Sequence, residues 1–225
     1  MKWLMRLVAG IVVFVVLWVL SYRVIDPPIW FYLLSERWRL GAVAQEWRPL
    51  DLMTPDLALA AMAAEDARFC AHHGFDFAAI EAALAANAEG RRLRGGSTIS
   101  QQVAKNVFLW PERSWLRKGM EAGFTLLIEL IWPKRRIVEV YLNIAEFDRG
   151  VFGAAAAARH YFGRDVADLS LVQAARLAAV LPDPKGRAAA RPGPWTQRRA
   201  RAIADGARTL AAEDRADCVL DPGKT

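Results

Sequence analysis

The string EDARFCAHHG, residues 65–74, sets an acid at the end of a stretch otherwise made of Leu, Ala and Met. On a helix Glu65 has Met62 at i−3 and Phe69 at i+4, so its carboxyl meets an apolar wall. Such a wall raises a carboxyl pKa toward the range a general base needs. The plainer reading is a surface pair with Arg68 at i+3, worth roughly a few tenths of a kcal/mol. His72 and His73 raise the question of a metal. With three histidines in the whole chain and no H-E-x-x-H spacing, capping or hydrogen bonding is expected of His72, and no protein metal site.

A second string, GGSTISQQVAKN, spans residues 95–106. If Ser97 caps a helix there, Ser97, Gln101 and Lys105 share one face, and Ile99, Val103 and Val107 line the opposite, apolar one. A hydroxyl, an amide and an ammonium, led by Gly95 and Gly96 at a helix N-terminus, form a plausible diphosphate-binding surface. An amphipathic helix with a solvated polar face reads the same way. The surroundings are lopsided in charge: Arg91, Arg92, Arg94, Lys105, Arg113, Arg117 and Lys118 stand against Glu112 alone. Such a run repels itself unless an anion or a headgroup surface is near. A third string, RKGMEAGFTLLIELIW, repeats Glu121, Thr125 and Glu129 every four residues on an apolar helix, with Arg117 four before Glu121. Buried carboxylates there need partners; Glu121 is read as functional and Glu129 as structural.

These strings must be positioned by helices, because alternating strand patterns are nearly absent and Ala and Leu dominate. Expected helices run over residues 55–70 behind Thr54-Pro55, 77–90 capped by Asp76, 97–108, and 114–132 before Pro133. Four more cover 135–145, 150–162 before Gly163, 171–181 capped by Ser170, and 196–213. The 225 residues, 54% hydrophobic, suit one all-α domain with a full core. Ahead of it, residues 7–22 carry no charge and are bracketed by Arg6 and Arg23, with Trp3, Trp18 and Tyr22 at interfacial positions. Without a clear small-x-small cleavage site before Asp26-Pro27-Pro28, this is an uncleaved anchor rather than a signal peptide. Lys2 and Arg6 place the short tail inside, so residues 1–26 are tail and anchor and 27–225 the outer domain. The net charge of +6 then points to an anionic lipid or phosphorylated substrate and not to nucleic acid. Residues 29–34, IWFYLL, lie on the bilayer or dock on the domain, both readings standing. Two cysteines, Cys70 and Cys218, exclude a disulfide scaffold and a cysteine zinc cluster; whether they meet is not legible.

Five segments, EDARFCAHHG, GGSTISQQVAKN, RKGMEAGFTLLIE, KRRIVEVYLN and GVFGAAAAARHYFG, occur in order over residues 53–181. Together they resemble the family 51 glycosyltransferases that polymerise peptidoglycan. No S-x-x-K penicillin-binding segment follows, so a monofunctional member is expected. Asp148-Arg149, where a Gly is common, and Met120 depart from the pattern. The resemblance implies a lysozyme-like helical fold with a mobile, membrane-touching jaw over residues 75–94. It implies lipid II and the lipid-linked glycan chain as substrates in the bacterial inner membrane, with the domain in the periplasm and other wall-synthesis proteins as further partners. No cofactor is implied, and stimulation by a divalent cation is left open. Glu65 would be the base and Glu121 an assisting carboxylate. Ser97, Gln101, Lys105, Arg113 and Arg117 would contact diphosphate, with Gly95 letting it approach. Thr98, Gln102 and Asn106 would shape that helix or touch sugar, and Asp66, Phe69 and His72 would hold the base. Three rivals remain: a peptidoglycan-cleaving lytic transglycosylase, an anchored scaffold of wall synthesis, and a membrane-surface binder.

Overall fold

The computed structural model describes residues 1–88, 96–112, 114–221 and 223. Expectations for Gly95, Arg113 and the run Arg91, Arg92 and Arg94 therefore lie outside the described residues. The fold is mostly helical, as expected: α1 (Lys2–Ser21), α2 (Phe31–Leu40), α3 (Pro55–Glu65), α4 (Phe77–Ala88), α5 (Ile99–Phe108), α6 (Trp115–Ile131), α7 (Lys134–Ile144), α8 (Ala154–Phe162), α9 (Leu171–Val180), α10 (Pro194–Ala212) and α11 (Asp217–Leu220). Strands β1 (Ala44–Gln45), β2 (Glu146–Asp148) and β3 (Val151–Phe152) add a small sheet in the order β1-β3-β2. In it β1 is parallel and β2 antiparallel to β3.

Several boundaries differ from the sequence reading, each for a local reason. The first outer helix stops at Glu65 instead of running to Cys70. Asp66 leaves the helical region (φ −158°, ψ 71°) because its carboxylate is engaged elsewhere, accepting from the Ile99 N–H at 3.1 Å. The helix expected from Ser97 starts two residues later. Thr98 is the N-cap, and Gln101 closes a capping box: Oγ1 of Thr98 accepts from the Gln101 N–H, and Oε1 of Gln101 accepts from the Thr98 N–H at 2.9 Å. Residues 150–153 form a turn and β3, not helix. Gly153 has φ +83°, and a Cβ there would sit 2.9 Å from the Asn143 carbonyl oxygen, so a side chain is excluded. The basic helix begins at Pro194, and α11 follows it. Ser170 caps α9 with a capping box, as expected.

The core is built in two packed groups. α3 lies against α9 and α10, and α5 against α6 and α7. Met62, Ile99, Val103, Ile137, Tyr141 and Leu177 are among the side chains that water does not reach.

α1 stands mostly outside this core. It has 20 residues, its most apolar 18-residue stretch has a mean hydropathy of 2.5, and Val19 is its one buried residue. At 1.5 Å per residue it is about 30 Å long, the thickness of a hydrocarbon core. Its outer end is gripped by the domain. The Trp132 indole N–H donates to the Val19 carbonyl at 2.8 Å, and Arg23 donates to the Ile131 carbonyl at 2.9 Å. Arg136 donates to the carbonyls of Tyr22 and Ile25 and to the Asp26 carboxylate, at 3.1, 2.9 and 2.9 Å. The two readings of residues 29–34 divide by side chain. Trp30 and Leu33 are buried on the domain, while Ile29, Phe31 and Leu34 stay more than half exposed. Cys70 and Cys218 do meet, in a disulfide with a Cα–Cα distance of 5.7 Å.

Candidate active site

Glu65, Asp66, Ala67, Arg68, Asp76, Ala79, Gly96, Ser97 and Thr98 line a cleft of about 240 Å³. It lies where the end of α3, the start of α4 and the start of α5 converge. Glu65 is partly buried, and its carboxyl is pushed above the ordinary carboxylate value. Burial is the main cause, and the neighbouring Asp66 adds to it. The hydrogen bond from Gln102 and the charges of Arg199 and Lys105 oppose it. The Gln102 amide donates to Oε2 of Glu65 at 2.8 Å. The acid is thus kept ready to take a proton while one fixed donor and two cations stabilise its charged form. The pairing of Glu65 with Arg68 that a surface reading would require does not occur. Arg68 faces Asp76 at 3.7 Å.

Removing the Gln102 donor strips one stabilising contact from the charged form of Glu65. Gln102→Leu is therefore expected to move the acid limb of the pH–rate profile to higher pH. A limb that stays in place, measured by initial rates across the acid range, would show that this amide does not tune the acid.

Behind Glu65 a hydrogen-bonded frame fixes the turn. Asp66 accepts from the Ile99 N–H through Oδ2 and meets His72 Nε2 through Oδ1 at 2.9 Å. Phe69 is fully buried, and the His72 ring stands edge-on to it. The Thr98 hydroxyl donates to the Gly74 carbonyl at 2.7 Å. Asp66, His72 and Asp76 each bring one potential ligand atom within 4.8 Å of the others. Asp66 and Asp76 already hold donors, Asp76 by accepting from the Ala79 N–H at 3.0 Å. These bonds tie the cluster into the hydrogen-bond frame.

The other expected residues fall in three places. Ser97 is exposed at the cleft; Lys105 and Asn106 lie further along α5, Lys105 exposed and near enough for its charge to act on Glu65. The expected face of Gln101 is corrected: it is 6% exposed and its side chain closes the cap of α5, so it does not share an outward face with Ser97 and Lys105. Glu121 and Arg117 pair with each other on α6 at 3.4 Å, both buried, and Lys118 also pairs with Glu121. Neither Glu121 nor Arg117 lines the cleft of Glu65. Glu129 accepts from Ser100 and from Lys134, tying α6 to α5 and α7.

Three contributors were not singled out from the sequence. Arg199 of α10 donates to the Ala64 carbonyl at 2.8 Å and its charge acts on Glu65. Lys134 donates to the His72 carbonyl at 2.7 Å and stands 4.2 Å from the Phe69 ring centroid. Tyr141 is buried behind the acids, and its phenol is held well above its ordinary value by burial and by Glu65 and Asp66. Lys134 opens the segment KRRIVEVYLN, which was legible as a unit. Arg199 had only the basic character of its helix as a signal.

A partly buried acid with a raised carboxyl pKa, set in a cleft opposite a capped helix, is the arrangement of an enzyme site that works by general acid–base chemistry. The chain belongs to the transglycosylase family, whose profile matches residues 35–207. It is 51% identical over 217 residues to a biosynthetic peptidoglycan transglycosylase of Jannaschia sp. (strain CCS1), covering 96% of this chain and 89% of that one. Identity to the protein of the same name from Rhodospirillum centenum is 51% over 216 residues, 95% of this chain and 93% of the relative. To that of Xanthomonas campestris pv. campestris (strain B100) it is 54% over 202 residues, 87% and 82% of the two chains.

Proposed function

We propose that this protein polymerises lipid II into β-1,4-linked glycan chains with release of undecaprenyl diphosphate, as an inverting glycosyltransferase of cell-wall synthesis. The observation that carries this reading is Glu65 in its cleft, with a raised carboxyl pKa and an aligned Gln102 donor. Glu65 takes the proton from the 4-hydroxyl of the acceptor sugar. That oxygen attacks C1 of the lipid-linked donor chain from the face opposite the diphosphate, which leaves with the bonding pair. One displacement needs one base and cationic or N–H groups to stabilise the leaving group. Of the residues expected at diphosphate, the exposure of Ser97 at the cleft and the charge of Lys105 acting near Glu65 support that role. Glu121, bound to Arg117 and Lys118, acts by orienting those cations. The displacement asks for no cofactor, and a divalent cation would only add charge neutralisation at the leaving group.

In this reading α1 spans the inner membrane with Lys2 and Arg6 inside and the domain in the periplasm. The Cys70–Cys218 disulfide suits an oxidising compartment. An apolar groove of about 390 Å³ between α1 and α6, lined by Val15, Met120, Gly123, Phe124, Leu126 and Leu127, suits a protein working among lipid chains.

Purified protein incubated with lipid II in detergent should yield glycan ladders on gels. Soluble muropeptides released from sacculi, with no ladder from lipid II, would favour the lytic reading instead. Lys105→Ala should raise KM for the lipid-linked donor roughly tenfold, the worth of one charge-assisted contact. A lipid II titration with unchanged KM would remove Lys105 from the diphosphate site.

A further inference from the structure

Glu65 is the last residue of α3, and the seven residues after it carry Asp66, Phe69 and His72. Much of that segment lies on the surface: Ala67, Arg68 and Ala71 are exposed, and Phe69 is its one fully buried side chain. Packing alone gives it little to hold its position. The bonds of Asp66 to Ile99 and His72 are one hold on it, and a second comes from the far end of the chain. Arg215 donates to the Ala67 carbonyl at 3.0 Å, two residues from the acid. Cys218 is bonded to Cys70, a partner 148 residues away in sequence. The strap that carries both is itself seated, with Ala216 and Val219 buried and the Val219 carbonyl accepting from Arg135 at 2.9 Å. The residue beside Arg135, Lys134, reaches the same segment from the other side through the His72 carbonyl and the Phe69 ring.

We propose that residues 213–221 form a positioning strap for the proposed base, with Cys218 and Arg215 as positioning residues. They hold the segment 66–72 so that Glu65 stays against Gln102 at the cleft. The proposal rests on Glu65 being the base. The strap is placed to act by geometry and not by its own charge. The groups that face Glu65 are Gln102 and Lys105 from α5, Arg199 from α10, Tyr141 from α7 and the adjacent Asp66, and none of them belongs to the strap. A neutral change at Cys218 therefore alters Glu65 only through position and access to water.

The test uses the full chain in detergent with lipid II. Cys218→Ser, Cys70→Ser/Cys218→Ser and Arg215→Ala are assayed well below their own melting temperatures, with folded content checked by circular dichroism. We expect kcat to fall roughly tenfold in the cysteine variants, with KM nearly unchanged, as a small misplacement of a reacting group predicts. Loss of burial, the largest cause of the raised carboxyl, outweighs a loosened Gln102 bond, so the acid limb of the profile should move to lower pH as water reaches Glu65. Arg215→Ala, which keeps the bridge, should show the same two changes at smaller size. A folded Cys218→Ser with wild-type kcat and an unmoved acid limb overturns the proposal and leaves the bridge a stabiliser only. Should the cysteine variants not fold, unchanged kcat and pH profile in Arg215→Ala overturn it equally. Glu65→Gln assayed alongside separates the two failures. If it is active, the base assignment falls and the strap's role with it. If it is inactive while the strap variants are wild-type, the strap alone is refuted.

Discussion

Glu65→Gln is expected to lower lipid II polymerisation by about 100- to 10,000-fold, the range for loss of a general base, while the protein unfolds no earlier than the parent. Both halves come from the same environment. The amide keeps the shape of the side chain but has no basic oxygen able to take the hydroxyl proton. Its effect on stability follows from the sign of the pKa shift. Burial holds the folded-state carboxyl above its unfolded value, so the ionised form at neutral pH is less at ease folded than unfolded. That cost grows as pH rises past the unfolded pKa and is complete above the folded one. A neutral amide does not bear it. Glycan ladders and thermal melts on the same preparation check the prediction. Ladders at the parental rate would end the assignment of the base, and an early melt would show that Glu65 serves the fold instead.

Asp66→Ala should be the most destabilising single change near the site, by about 2–4 kcal/mol, the cost of leaving the two hydrogen-bond partners of a buried carboxylate unpaired. Asp66 is 7% exposed and its two oxygens serve two partners, the Ile99 N–H and His72 Nε2. Truncation leaves both partners without their acceptor. For a chain of this size that corresponds to a melting temperature lower by about 10 °C. Activity should fall further than stability, because Ile99 is the first residue of α5, and α5 carries Gln102 to Glu65. Asp66→Asn keeps one acceptor for Ile99 and should lose less. Scanning calorimetry in which Asp66→Ala melts with the parent would show that these bonds are dispensable.

Much of this was legible in the sequence wherever one residue acts through its near neighbours. Asp76, Ser114 and Ser170 marked helix starts because a cap bonds only a few residues onward, and Thr54-Pro55 did so because Pro55 is pre-set for the first helical position. The burial that raises the Glu65 carboxyl was expected from Met62 and Phe69 at helical spacing, although α3 ends at Glu65 and Phe69 lies beyond it. Errors arose where a distant partner overrode the local pattern. Asp66 ends α3 early because it is claimed by a backbone N–H 33 residues on. Gln101 looked like an outward polar residue on the face of Ser97 because Ser97 and Thr98 are both good caps, and only the position of Gly74 decides between them. The same limit hid Arg199 and Lys134, whose work depends on three-dimensional neighbours, and left the pairing of Cys70 with Cys218 open.

The collar of Trp132, Arg23 and Arg136 around the end of α1 has a mechanical consequence. Rotation between stalk and head would break five hydrogen bonds at once, so the two turn as one body and the cleft keeps a set height and heading above the lipid. With α1 seated in a bilayer as proposed, a product strand leaving such a mount would keep one heading, and sideways drift rather than swivelling would move the site.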